Sequence, residues 1–127
     1  MSDNKTQAST AGSGEDTVLL DFESALERTM GDKEFLQELF QEFMQSAPND
    51  IATMQSLLNA KDADGVRRLA HRIKGSAGNL SFLKVAAIAL RLERAGSENN
   101  LDIAGEGLLR ELDAAIQETK AHISRLS

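Results

Sequence analysis

The chain has 127 residues, 41% hydrophobic and 27% charged, with no cysteine, a single proline and a formal charge of −6. That length suits one domain with a real core, the absence of cysteine excludes disulfides and thiolate metal sites, and the acidic balance argues against nucleic acid as the main ligand. No apolar run approaches the roughly 18 residues needed to span a membrane and Met1 opens no secretory signal, so a cytoplasmic protein is expected.

Aromatic residues are few (five Phe, no Tyr or Trp), while Leu, Ala, Glu, Arg, Lys and Gln are plentiful, which favours helices over strands. Residues 1–16 are mostly small and polar without periodicity and are expected to form a flexible tail, leaving 17–127 as one helical domain. Leu19, Leu20, Phe22, Ala25 and Leu26 suggest a short first helix, with Asp21 near its start and Gly31 after its end, capping one end of a bundle. Asp32 is placed as N-cap of a second helix reaching about Ser46, with Phe35, Leu36, Leu39, Phe40 and Phe43 on one broad apolar face read as core. Pro48 fits the first turn of a third helix, whose stripe is Ile51, Met54, Leu57 and Leu58. Lys61 to Gly65 then turns the chain, and Asp62 can cap the helix that follows.

In that helix Val66, Leu69, Ala70, Ile73, Ala77 and Leu80 recur at three- and four-residue spacing and form one apolar face. His71 is not on it: at about 100° per residue it lies roughly 140° from the stripe centre. Gly75 stands one turn on and Gly78 two. A glycine inside a helix costs about 1 kcal/mol relative to alanine, and the apolar pattern requires neither, so a bare surface beside His71 explains both. Arg67, Arg68, Arg72 and Lys74 cluster around the histidine and make the site more positive than its surroundings, which would favour an anion or an acidic partner; the plain alternative is that they solvate an exposed face.

Ser81 is a candidate N-cap for the next helix, which carries Phe82, Val85, Ala86, Ala89 and Leu92 and ends around Gly96. Gly96 to Asn100 reads as a loop, and Leu108, Leu112, Ala115, Ile116, Ile123 and Leu126 mark a long final helix. The short connections imply an all-α, antiparallel up-and-down four-helix bundle from about residue 48, with two additional N-terminal helices packed on it.

The run His71-Arg72-Ile73-Lys74-Gly75-Ser76-Ala77-Gly78-Asn79-Leu80 resembles the signature of histidine phosphotransfer (HPt) domains. Leu20-Asp21-Phe22, Gly31-Asp32, the Phe- and Leu-rich second helix, Asp62 and Leu92-Glu93 extend the likeness over roughly residues 18–127. The resemblance implies that His71 carries a phosphoryl group between receiver-domain aspartates. It also implies response-regulator receivers and a hybrid sensor histidine kinase as partners. Mg²⁺ would then sit on the receiver, with no cofactor on this chain.

The residues support that chemistry on their own account. An imidazole on a helix surface has a ring nitrogen free to attack an aspartyl phosphate, and histidine as a class keeps a neutral fraction near pH 7. Lys74, one turn away, can stabilise charge on the transferring group, and Gly75 removes a side chain where a partner must approach for in-line transfer. Arg67, Arg72, Gly78 and Glu93 are expected at the partner surface. Glu93 reaches either the imidazole or a nearby Arg, and the roles of Arg91 and Lys84 stay open.

Ser76 reads as a small packing residue and His122 as structural. Ser81 departs from the glycine common in the family, which bears on the loop and not on His71, Lys74 or Gly75. A metal site from His71 and His122 lacks further ligands, and no P-loop or room for a kinase ATP site is present, so no autonomous ATP-dependent kinase activity is expected. The alternative function is a non-catalytic docking module that binds or sequesters a receiver, with Met44, Ile51 or Met54 as docking candidates. Without a heptad seam or cysteine, a monomer is the default expectation.

Overall fold

Three helices begin on aspartates, whose carboxylates accept from first-turn N–H groups that have no helical acceptor. The computed structural model describes residues 18–126, the side chains of 103–106 excepted; the expected tail at 1–16 lies outside the described residues. Asp21 accepts from the Ser24 N–H (3.1 Å) and opens α1 (Phe22–Arg28). Asp32 accepts from Phe35 (3.0 Å) at the head of α2 (Lys33–Asn59). Asp62 accepts from Gly65 (3.0 Å) at the head of α3 (Ala63–Asn79). Two further helices follow, α4 (Leu83–Ser97) and α5 (Ile103–Leu126).

Helix α2 packs on α3, α3 on α4, α4 on α5, and α5 back on α2, while α1 leans on α2. The described chain is therefore all-α with five helices, one ahead of the ring and not the two expected. The difference lies at Pro48, which stands inside α2 instead of opening a new helix. Proline removes one helical hydrogen bond and strains the preceding turn at a cost of about 3 kcal/mol, yet the stripe Leu36, Phe40, Met44, Ala47 and Met54 is buried on both sides of it without losing phase. Packing along the whole stripe outweighs the single defect, and Pro48 itself sits on the exposed side.

The apolar faces meet in one core, in which Phe82 is fully buried between Phe40 (centroids 5.2 Å) and Phe43 (5.0 Å, edge to face). Phe35 departs from the expected core face, with 48% of its surface exposed. Met44 and Met54, expected as docking candidates, are buried; Ile51 is half-buried. Gly96 stands at the end of its helix as expected, one residue before the last, Ser97. It lies buried within α4, where a Cβ would come within 2.7 Å of the Ala63 carbonyl oxygen and 2.8 Å of the Arg67 nitrogen, so its missing side chain sets how closely α4 approaches α3. The final helix starts at Ile103, earlier than the apolar pattern from Leu108 suggests.

Helix ends are made by single residues in the left-handed region: Lys61 (φ 56°), Ser81 (φ 58°) and Asn99 (φ 54°) follow α2, α3 and α4, and Met30 (φ 55°) with Gly31 (φ 82°) follows α1. Ser81 is thus the C-terminal turn of α3 and not the N-cap of α4; that position belongs to Phe82, which makes no side-chain cap bond. Glycine is the usual occupant of such a position because it has no Cβ to clash. Here the buried Ser81 hydroxyl accepts from Arg28 Nη1 (2.6 Å), which also donates to the Asn79 carbonyl (3.0 Å).

Candidate functional site

His71 projects from the middle of α3, opposite the buried Val66, Leu69, Ala70, Ile73 and Ala77, with 65% of its side chain exposed. Glu93 comes to it from α4. Its Oε2 lies 2.9 Å from His71 Nδ1, and its Oε1 lies 2.8 Å from Lys74 Nζ. The lysine contact is close but off the hydrogen-bond direction, so it is an ion pair without a well-formed hydrogen bond.

These contacts hold the Glu93 carboxyl below its ordinary value, first through Lys74 and then through His71, against a burial that pushes it up. Glu93 is therefore ionised near neutrality and can only accept hydrogen bonds. The contact with His71 is then an Nδ1–H donating to Oε2, and a neutral ring in this tautomer carries its lone pair on Nε2. A histidine whose one nitrogen is fixed by a carboxylate presents the other as nucleophile or base. The open choice between imidazole and arginine as the partner of Glu93 is thereby resolved in favour of the imidazole.

Gly75 and Gly78 clear the surface around the ring: a Cβ added at either would meet nothing within 4 Å. Neither glycine makes a close approach that a side chain would prevent.

The positive patch expected around the histidine is largely neutralised. Arg67 and Arg68 both pair with Asp64 (2.7 and 3.1 Å), and the Asp64 carboxyl is lowered chiefly by its hydrogen bond from Arg67. Arg72 turns away to Asp50 on α2 (2.8 Å), and Lys74 is committed to Glu93. Asp64 was readable as a partner three and four residues before the arginines; Asp50 was not, because its meeting with Arg72 depends on how α2 and α3 pack. Arg91 and Lys84 lie apart from the site and tie α4 to α5 through Glu111 and Glu118 (2.9 Å each).

Beside the site, α1, α2 and α3 enclose a groove of about 590 Å³ lined by Phe35, Leu39, Phe43, Arg28, Arg72 and Ser76, among others. Ser76, expected to pack, is exposed on its rim. Among the described residues no three His, Cys, Asp or Glu side chains converge to hold a metal, and no helix is long and apolar enough to cross a membrane.

Comparison with known proteins agrees with this arrangement. The crystal structure of histidine-containing phosphotransfer protein B from Pseudomonas aeruginosa superposes with a TM-score of 0.76 over 84% of this chain and 92% of that one, at 19% identity, a likeness of fold. No curated protein matches the chain in sequence at a significant level. The family model of the Hpt domain matches residues 38–122, from within α2 into α5 and including His71, Lys74, Gly75 and Glu93. The chain therefore belongs to the Hpt domain family.

Proposed function

We propose that this chain is a phosphocarrier in which Nε2 of His71 takes a phosphoryl group from the aspartate of one receiver domain and gives it to the aspartate of another. The observation that carries this reading is the exposed imidazole whose Nδ1 is engaged by Glu93, set on a helix face that Gly75 and Gly78 leave bare. Lys74, paired with the same Glu93 that holds the ring, offers a cation to the transferring group, and Gly75 admits the receiver's acidic pocket together with the Mg²⁺ that pocket carries. This chain supplies no metal and no ATP chemistry. Its donor is a hybrid sensor histidine kinase acting through its receiver, and the protein works as a cytoplasmic monomer.

Arg67, Arg72 and Gly78 border the approach. The neighbouring groove, with exposed Phe35 and half-buried Leu39 and Phe43, gives a receiver more apolar contact than Met44 or Met54 would. Such an interface suits a small contact area and rapid release, as a relay requires.

The test is transfer of radiolabelled phosphate from phosphorylated receivers to the wild-type chain and to His71→Gln. Label that is acid-labile, base-stable and absent from the variant is expected. Receivers that bind both proteins while neither becomes labelled would overturn the phosphocarrier reading and leave a docking module that sequesters a receiver.

A further inference from the structure

Glu93 is shared between two nitrogens. Its Oε2 accepts from His71 Nδ1–H at 2.9 Å and its Oε1 faces Lys74 Nζ at 2.8 Å, yet Oε1 is shielded from solvent and receives no well-directed hydrogen bond. The Lys74 side chain is 32% exposed, against 19% for Glu93, so the lysine is the more accessible of the two.

Taking the phosphocarrier reading as its basis, we propose that Glu93 and Lys74 form a hand-over pair: when His71 is phosphorylated, Lys74 leaves Glu93 for the phosphoryl oxygens and the ring's Nδ1–H takes over the carboxylate. The transfer step shows why. The Nε2 lone pair attacks phosphorus, the N–P bond forms as the P–O bond to the receiver aspartate breaks, and the aspartate departs as a carboxylate. The ring keeps its Nδ1 proton and becomes a phosphorylated imidazolium, with one positive charge beside Glu93 and a doubly negative phosphoryl group on Nε2.

Before the step Glu93 is balanced by Lys74; after it, by the ring. Lys74 is then drawn to a dianion, a stronger partner for an ammonium than a carboxylate already paired. No proton enters or leaves the site. The return step retraces the path, as an aspartate oxygen attacks phosphorus, the N–P bond breaks, and the ring leaves as the neutral Nδ1–H imidazole that Glu93 has held throughout. Glu93 is thus a positioning residue, acting through the ring, and Lys74 is the group that meets the phosphoryl. A glutamine at 93 could still accept from Nδ1–H, but could neither balance the imidazolium nor hold Lys74 in the resting state.

Nitrogen and carbon NMR of the side chains of His71 and Lys74 in the full chain, before and after treatment with phosphoramidate, tests the hand-over without a receiver and without a variant. The Lys74 ammonium signals should shift on phosphorylation, while His71 carries its phosphoryl group on Nε2 and its proton on Nδ1. In Glu93→Gln the Lys74 signals should already have left their wild-type position in the unphosphorylated protein. Transfer to and from a receiver should slow by about tenfold or more, the scale of one hydrogen bond to a charged group.

Lys74 signals unchanged by phosphorylation, or a Glu93→Gln variant that transfers at the wild-type rate in both directions, would overturn the hand-over while leaving His71 a carrier. A His71 that takes phosphate from neither phosphoramidate nor any receiver would remove the carrier reading and the hand-over with it.

Discussion

The face that α3 turns to α4 and the face it turns to solvent both rely on missing side chains, with opposite physical meaning. At the α3–α4 contact, a Cβ on Gly96 would press on the backbone of Ala63 and Arg67; on the solvent side, Gly75 and Gly78 face empty space. The first glycine lets two helices close on each other and contributes to stability. The other two weaken their helix by about 1 kcal/mol each relative to alanine and give nothing back to the fold. Glycine in a helix is thus a clue to function only where its neighbourhood is open.

Substitution separates the two cases by sign. Gly96→Ala should destabilise the protein by about 2 kcal/mol, since backbone atoms cannot move aside as a flexible side chain can, and denaturant unfolding should show a lower midpoint with an unchanged slope. A neutral result would mean that the approach of α4 to α3 is not what this glycine serves. Gly75→Ala and Gly78→Ala should each raise stability, by up to about 1 kcal/mol. On the phosphocarrier reading, Gly75→Ala should also slow transfer from a phosphorylated receiver, with a smaller effect at Gly78. Alanines that stabilise without slowing transfer would sever these glycines from the approach of a partner.

The closed side of the molecule was the more legible in the sequence. Asp21, Asp32 and Asp62 start their helices where residue type and spacing place them, because capping is a local event within four residues. The apolar stripe of α3 was legible too, and with it the outward direction of His71. Pro48 misled because its usual place is a first turn; the unbroken phase of Leu36, Phe40, Met44, Ala47 and Met54 was the signal that α2 continues through it. The turns at Lys61 and Asn99 fall where a turn and a loop were expected, but the left-handed conformation there and at Ser81 was hidden because none of the three is glycine. At the candidate site, His71 and the open glycines Gly75 and Gly78 are arranged along one helix and could be read from spacing. Glu93 and Asp50 come from other helices, and their partners depend on packing that no local pattern encodes.

The solvent side also depends on charge where the packed side does not, and acid should expose this. The Glu93 carboxyl sits below its ordinary value of 4.5 because Lys74, and then His71, favour its ionised form. A group lowered by folding contributes stability that is present above its unfolded value and is lost as pH falls through the folded one. Wild type should therefore lose stability from about pH 4.5 downward more steeply than Glu93→Gln, which has no such group, and the two curves should run parallel at higher pH. Thermal unfolding followed between pH 6 and pH 3 reads this difference; curves parallel throughout would mean the carboxylate is held no better in the fold than in the unfolded chain.

The smallest effect is expected at the turn that joins the two helices of the site. Ser81 adopts φ 58° and buries a hydroxyl that accepts from Arg28, so two contributions oppose each other there. A left-handed conformation costs a residue with a Cβ on the order of 1 kcal/mol relative to glycine, and a hydrogen bond to a charged donor returns a similar amount. Ser81→Gly relieves the backbone while losing the bond, and should stay within about 0.5 kcal/mol of wild type. Ser81→Ala loses the bond and keeps the strain, so it should be the less stable of the two variants by about 1 kcal/mol. An alanine variant as stable as the glycine one would show that the turn is strained by less than its dihedral angle implies, since both variants lack the bond from Arg28 and differ only in the Cβ.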